Sequence, residues 1–561
     1  MCDLLRKLQS DYLTQEASRL TRLQFRDNRM VPPLTSRHMQ SSETERAYRR
    51  FVFDAICVAV LIAYFLHFAF PALRGGFRED EMMNMGICWC VGALKSLLAN
   101  LVFWKLFLCS GCGLYDLPLY LYRPGGALYY LPLYHFFDLD PLPYRIVQIS
   151  ILVASILLVY YLSRRLASSR RIAFLAVLAL CYHPRLAGLV FVGAFIYDVL
   201  CGFFYFAALA YYVHIRERGV SLQAVQLLGF LALYLMALNC KEMAVTLPVI
   251  VLIYEFLNSP GWTDWKAFLR WIRTSAAPSL IAGLLTVSYI YGKIHGSGSL
   301  ASLDPYRPEY SWHNFTASNA EFVSQLLFAG HTIAPIALLL LWALVFIYAF
   351  LRRDRTLQLM AFWVVIVPLP VAFIVPVRGD ASLYLLLFGW AMIFAKVTFD
   401  LITLVSKFLV FLGNRALPAA TGAIIGDASR KVSLRGGFRI VATLLVAFAL
   451  AAFTQKENQR VQVPWLNVGA KTSHVIHTFR SLGLRPLHGS SILLLLKENL
   501  FQNKWNVFFI ASLVWNDHSL RIWVENVNEL TPQQQADVDY IISVSEFEAD
   551  VVRSPELPNS D

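Results

Sequence analysis

Apolar runs of membrane-crossing length recur throughout this 561-residue chain, and one water-excluding core could not hide them all. The first, Phe51–Phe70, meets the roughly 20 residues that a helix needs to cross the hydrocarbon of a bilayer. Further helices are predicted near Tyr144–Leu162, Ile172–Tyr182, Leu186–His214, Leu222–Leu238, Met243–Phe256, Pro278–Tyr291, Ile333–Phe350, Leu357–Val375, Ser382–Phe399 and Phe438–Phe453, eleven spans in all. With 57% hydrophobic and 15% charged residues, the composition is that of a polytopic, all-α membrane protein.

The charge map supports the count independently. Ten Lys/Arg within residues 1–50 should hold that segment in the cytoplasm. If eleven spans alternate, the basic loops Ser163–Arg171, His214–Gly219, Pro260–Arg273, Arg352–Arg355 and Lys407–Arg439 all fall on the same side. Losing one span would invert everything after it, so this agreement is a stronger argument than hydropathy alone. The formal net charge of +12 is therefore read as orientation and not as nucleic-acid binding. The polar stretch before Phe51 is too long and too charged for a removable signal peptide, so Phe51–Phe70 is expected to stay as the first span.

Function is then sought on the outer side. The loop 71–143 opens with Glu79-Asp80-Glu81. It continues with Leu97-Leu98 and Leu101–Trp104 between Lys95 and Lys105, which reads as a helix lying in the interface, and it ends in the turn Tyr122-Arg123-Pro124-Gly125-Gly126. Residues 454–561 change character. From Gln455 onward nine Lys/Arg face twelve Asp/Glu, and strand candidates Ser491–Leu496, Leu520–Val524 and Asp539–Val544 flank a helical pattern at Trp505–Val514. This predicts a small soluble α/β domain, giving three parts: a cytoplasmic segment 1–50, a membrane domain 51–453 and an extracytoplasmic domain 454–561. Cys88, Cys90, Cys109 and Cys112 suit a disulfide better than a zinc site, which needs well-placed ligand pairs around one centre. No Ser-His-Asp arrangement, phosphate-cradling glycine loop or dinucleotide fingerprint is present, so ordinary soluble nucleotide chemistry is excluded.

What remains is a set of ionisable residues at the outer ends of spans, Glu79, Asp80, Glu81, Arg123, His183, Arg185, Lys241, Glu242, Arg378 and Asp380, together with Asp198, expected about three to four turns into the fourth span. Such residues are expensive in lipid and normally face a cavity or each other. Mixed acids and bases at one membrane face could hold an anionic headgroup while a carboxylate takes a proton from a hydroxyl.

Asp80-Glu81 just after the first span, Tyr182-His183-Pro184 running on to Tyr197-Asp198, and Lys241-Glu242-Met243-Ala244-Val245-Thr246-Leu247-Pro248 together resemble the GT-C superfamily of membrane glycosyltransferases, and within it the protein O-mannosyltransferase-like families and their bacterial relatives. The similarity spans roughly Phe51–Phe399. It implies a GT-C-like membrane domain that moves a sugar from a polyprenyl-phosphate carrier to an acceptor hydroxyl, with inversion. It further implies Asp80 as general base, Glu81 as its partner and Glu79 as a weaker candidate. Lys241, Arg378 and Arg185 are expected on the donor phosphate, and His183, Asp198, Glu242 and Arg123 in the polar cavity. No metal and no cofactor is expected. The partners implied are the lipid-linked sugar, membrane lipid and an acceptor that is a glycan, lipid or protein. The C-terminal domain departs from the mannosyltransferases, which leaves the acceptor open.

Each group has a plainer reading: the acid triplet could cap a helix, Lys241-Glu242 could be a local ion pair, and His183 could be a helix-end hydrogen-bonding residue. The competing function is a transporter or flippase of a lipid-linked or amphiphilic solute, although the chain lacks evident repeated halves. A bacterial inner membrane with a periplasmic C-terminal domain is the expected location, with the endoplasmic reticulum as the alternative.

Overall fold

The computed structural model describes residues 36–100, 108–109, 119–259, 261–295, 307–375, 377–416, 424–526 and 538–554. The chain divides into two compact units, Met1–Ala63 and Tyr64–Asp561. Helix α1, Ser36–Ala69, contains the first apolar run.

Every predicted span overlaps helix. The membrane domain continues with α3 (Pro141–Ala167), α4 (Arg170–Cys181), α5 (Ile196–Arg216), α6 (Ala224–Cys240), α7 (Leu247–Asn258), α8 (Ala277–His295), α9 (Pro335–Leu351), α10 (Arg355–Ile366), α11 (Tyr384–Ala416) and α12 (Ile424–Leu466), while α2 (Glu79–Val91) lies in the first loop. Among the described residues seven helices are long and apolar enough to cross a bilayer, or eight if the bent pair Arg170–Cys181 and Pro184–Phe191 counts as one, which makes this an integral membrane protein. The rest of the predicted eleven are shorter: α6 and α9 have 17 residues each and α7 has 12.

One expectation is corrected. Leu186–His214 is not a single helix, because the chain breaks between Phe191 and Ile196, after Pro184 and at Gly193. Broken backbone at membrane depth must find hydrogen bonds within the protein. Gln148 Nε2 donates to the carbonyls of Leu189 (2.7 Å) and Val192 (3.1 Å), and the Tyr130 hydroxyl donates to that of Gly193.

Ion pairs gather at two opposite sets of helix ends. The end of α5, the end of α7 and the turn Ile272–Ala276 just before α8 share a cluster in which Arg216 grips Glu255 with two bonds of 2.7 Å, supported by Tyr212 and Ser275. At the same ends Arg165 meets Glu217, Lys396 meets Asp354, and Thr356 bonds the Leu166 carbonyl. The start of α5, the ends of α6 and α8 and the start of α11 carry a second cluster at the other face. Between the faces the helices pack through apolar residues such as Phe206, Trp363 and Phe388.

Residues beyond α12 form α13 (Ala470–Ser481), α14 (Trp505–Trp515) and a sheet of β1 (Ser491–Leu496), β2 (Arg521–Asn526), β3 (Tyr540–Val544) and β4 (Ala549–Arg553) in the order β2-β1-β3-β4. The predicted strands and helix are all found. The central β1 pairs in parallel with β2 and β3, as its unbroken Ile-Leu-Leu-Leu-Leu run requires of a strand covered on both faces, whereas β4 is antiparallel and largely exposed. Helix α14 packs on α2. Phe509 lies against Gly86, where a Cβ would come within 2.5 Å of its ring, Trp89 Nε1 donates to Asn516 (2.8 Å), and Tyr134 donates to the Leu513 carbonyl (2.6 Å).

Candidate functional site

The acid triplet opens α2, so its three carboxylates sit in the first turn, where the helix dipole favours negative charge. Their environments differ. Asp80 is exposed, Glu79 is half-buried, and Glu81 is 1% exposed. Glu81 Oε1 faces Arg145 Nη2 at 3.0 Å and accepts the Gly193 N–H at 2.7 Å. Arg145 is itself fully buried and also donates to the Gly76 carbonyl and to Gln148. Gly193 has to be glycine here, because a Cβ would lie 2.5 Å from the Glu81 carboxylate. Glu81 therefore fastens the acid helix to the broken segment, and Asp80 is left facing outward.

Five residues beyond Gly193, in the first turn of α5, stands Asp198. It pairs with Lys241, which follows the last turn of α6 and also donates to Ser382 Oγ (3.2 Å) at the foot of α11. The adjacent Glu242 pairs with Arg123 at 2.9 Å and with Lys293, from the end of α8, at 3.8 Å. Lys293 also bonds the Tyr122 carbonyl. Arg123 reaches this point because Pro124-Gly125-Gly126 packs tightly. A Cβ on Gly126 would fall 2.3 Å from the Tyr197 ring, and one on Gly125 would fall 2.5 Å from Cys240 Sγ. The Arg123 guanidinium lies 5.7 Å from the centre of that Tyr197 ring. Burial by itself would raise the Glu242 carboxyl, but Arg123 and Lys293 outweigh it and hold the group near 2, so it is ionised at any physiological pH.

Three cations thus meet two carboxylates, leaving one positive charge in excess. Arg123 and Glu242 keep somewhat over a quarter of their side-chain surface accessible, so the cluster is open on one side. Such an arrangement can attract an anion and orient hydroxyl groups.

The other expected residues are placed differently. His183 is buried, bonded through Nε2 to the Leu326 carbonyl (3.1 Å) and stacked on Phe328, so it plugs the bend between α4 and the following short helices. Arg185 is exposed. Arg378 is half-buried, four residues before the Ser382 that Lys241 contacts. Asp380 is exposed at φ 51°, with its N–H directed at Gln325. Cys90 is disulfide-bonded while Cys88 is a buried free thiol. Of the predicted interfacial helix, Ala93–Leu98 is helical, and Leu101–Lys105 lies outside the described residues, as does Cys112. Among the described residues no group of three His, Cys, Asp or Glu side chains could hold a metal ion. Sequence reasoning missed Arg145, Lys293 and Ser382. A charged residue at the mouth of an apolar run was the available signal for the first two.

No protein-family model matches the chain, and neither does any curated protein. Among solved structures it is similar to ArnT from Cupriavidus metallidurans in the apo state, at 14% identity and a TM-score of 0.44, covering 82% of this chain and 84% of that one. It is also similar to the archaeal oligosaccharyltransferase AglB from Archaeoglobus fulgidus in complex with an inhibitory peptide and a dolichol-phosphate, at 11% identity and a TM-score of 0.46, covering 88% of this chain and 69% of that one.

Proposed function

We propose that the protein is a GT-C-type membrane glycosyltransferase that moves a sugar from a polyprenyl-phosphate carrier to an acceptor hydroxyl at the extracytoplasmic face, with inversion. The observation that carries this reading is the convergence of Arg123, Lys241 and Lys293 on Asp198 and Glu242, beside a helix that presents Asp80 outward. A glycosyl phosphate already has a good leaving group. The protein needs to hold the acceptor in line, take its proton and neutralise charge on the departing phosphate. Asp80 is the base. Lys241 and Arg378, brought to the same segment by the Lys241–Ser382 bond, are the phosphate ligands. Glu81 acts through Arg145 and Gly193 as a positioning residue for the acid helix.

One observation favours a transporter, namely the bent span at His183. Its bend is filled by packed protein, with His183 bonded and stacked, and the charges collect at helix ends rather than at mid-depth. Proteoliposomes given undecaprenyl-phosphate mannose, glucose or N-acetylglucosamine decide between the two. Release of undecaprenyl phosphate supports the transferase, and movement of intact lipid between leaflets without release would replace it with the flippase reading.

A further inference from the structure

Within the cluster three polar atoms are left without a hydrogen bond among the described residues: Glu242 Oε1, Arg123 Nε and the Tyr289 hydroxyl. Each is a buried atom, and buried polar atoms are nearly always satisfied. They belong to one place. Lys293 Nζ stands 3.8 Å from Glu242 Oε1 and 5.4 Å from the centre of the Tyr289 ring, and Arg123 holds the other oxygen of Glu242. The rings of Tyr122, Tyr197 and Tyr289 flank the charged groups.

The identity of the free atoms decides what they could bind. A phosphate offers only acceptor oxygens at neutral pH, and a free carboxylate oxygen in its site would repel it. A polyhydroxylated ring offers both donors and acceptors along its edge and C–H faces that rest on aromatic rings. One ionised acceptor, one guanidinium donor and one phenol that can do either complement the second kind of ligand. Resting on the transferase reading, we infer that Arg123, Glu242 and Tyr289 form the subsite for the hydroxyl groups of the sugar that is transferred, separate from the phosphate ligands Lys241 and Arg378. In this subsite Glu242 Oε1 accepts from a sugar hydroxyl, Arg123 Nε donates to a ring or hydroxyl oxygen, and the Arg123 guanidinium holds the carboxylate by its other oxygen while Lys293 stands 3.8 Å from Oε1.

The test is a comparison of lipids on the full-length protein in nanodiscs, read by native mass spectrometry or a competition assay. The probes are bare undecaprenyl phosphate and its mannosyl, glucosyl and N-acetylglucosaminyl forms. The wild type should bind at least one glycosylated form more tightly than the bare lipid. Glu242→Gln should remove about 10- to 100-fold of that preference, the range for a hydrogen bond to a charged group, read as the ratio of glycosylated to bare lipid affinity within the same variant. Tyr289→Phe deletes a single oxygen and serves if Glu242→Gln fails to fold. It should lose about 2- to 10-fold of the same preference. Equal binding of bare and glycosylated lipids by the wild type, or an equal loss on all lipids in the variants, would overturn the sugar subsite and leave the donor reading intact. Failure of the wild type to bind any of these lipids would sink the donor reading itself and this inference with it.

Discussion

Neighbouring acids on α2 should separate stability from turnover. Glu81 and Arg145 are both essentially inaccessible, and Glu81 also accepts the Gly193 N–H at 2.7 Å. Glu81→Gln keeps the shape but leaves the Arg145 guanidinium buried without its counter-charge. Removing one partner of such a pair destabilises by about 3–5 kcal/mol, and the neutral amide is also a weaker acceptor for Gly193. Arg145→Met should cost a similar amount. The double substitution should be less destabilising than the sum of the two, with a coupling of about 0.5–3 kcal/mol. Asp80→Asn, one residue away and exposed, should change stability by no more than about 0.5 kcal/mol yet lower turnover by about 10²–10⁴ as the base is lost. Unfolding in detergent gives the first quantity, and release of polyprenyl phosphate in nanodiscs gives the second. If Glu81→Gln unfolds within about 1 kcal/mol of the wild type, the buried pair is not the fastener described here. Near-normal turnover by a folded Asp80→Asn would falsify its role as base.

Arg378→Ala should weaken binding of bare undecaprenyl phosphate by about 2–5 kcal/mol if its charge is desolvated against the phosphate, and unchanged affinity would reassign it to structure. The Glu242 carboxyl is held near 2, below its unfolded value of about 4.3, so its ion pairs stabilise the fold fully above that value and lose their contribution as pH falls toward 2. The stability difference between wild type and Glu242→Gln should therefore shrink as pH falls from about 5 through about 4.3 toward 2; a difference that keeps its value down to about pH 2 would contradict the pairing. For topology, His488→Cys should be labelled by an impermeant thiol reagent from outside and Ser168→Cys should not, both positions being exposed, and the reverse pattern would end the mechanism. Gly86→Leu should drive α14 off α2, since even a Cβ meets the Phe509 ring at 2.5 Å, and limited proteolysis should then cut the C-terminal domain faster.

Periodicity and charge were enough to read the elements. The β1 run Ser491–Leu496 and the apolar face of Trp505–Trp515 could be read because each residue's surroundings follow from its own neighbours in the sequence. The basic loops argue for an alternation of spans because orientation is a property of the whole chain. Pairing was not legible. Lys241 and Asp198 were both picked out, but they are 43 residues apart, Arg123 and Glu242 are 119 apart, and Arg145 and Glu81 are 64 apart, so only the packed fold brings them together. The same packing takes His183 out of the open cluster and ties down Glu81, the carboxylate that the sequence could not distinguish from Asp80. Breaks in helices were half legible: Pro184 and Gly193 were present as signals, yet the apolar character of Leu186–His214 outweighed them.

The contact between α2 and the C-terminal domain joins Trp89 to Asn516, 427 residues later. Synthesis makes the acid helix long before its cover. Throughout synthesis the surface of Gly86 and Trp89 stands without Phe509 and Asn516, and the C-terminal domain cannot dock until every intervening span has been inserted. Docking of the acid helix is therefore gated by the elements that follow α12. A chain stopped after α12 would carry all the membrane helices and every ion pair of the open cluster, and would still present an uncovered apolar helix to the quality-control machinery.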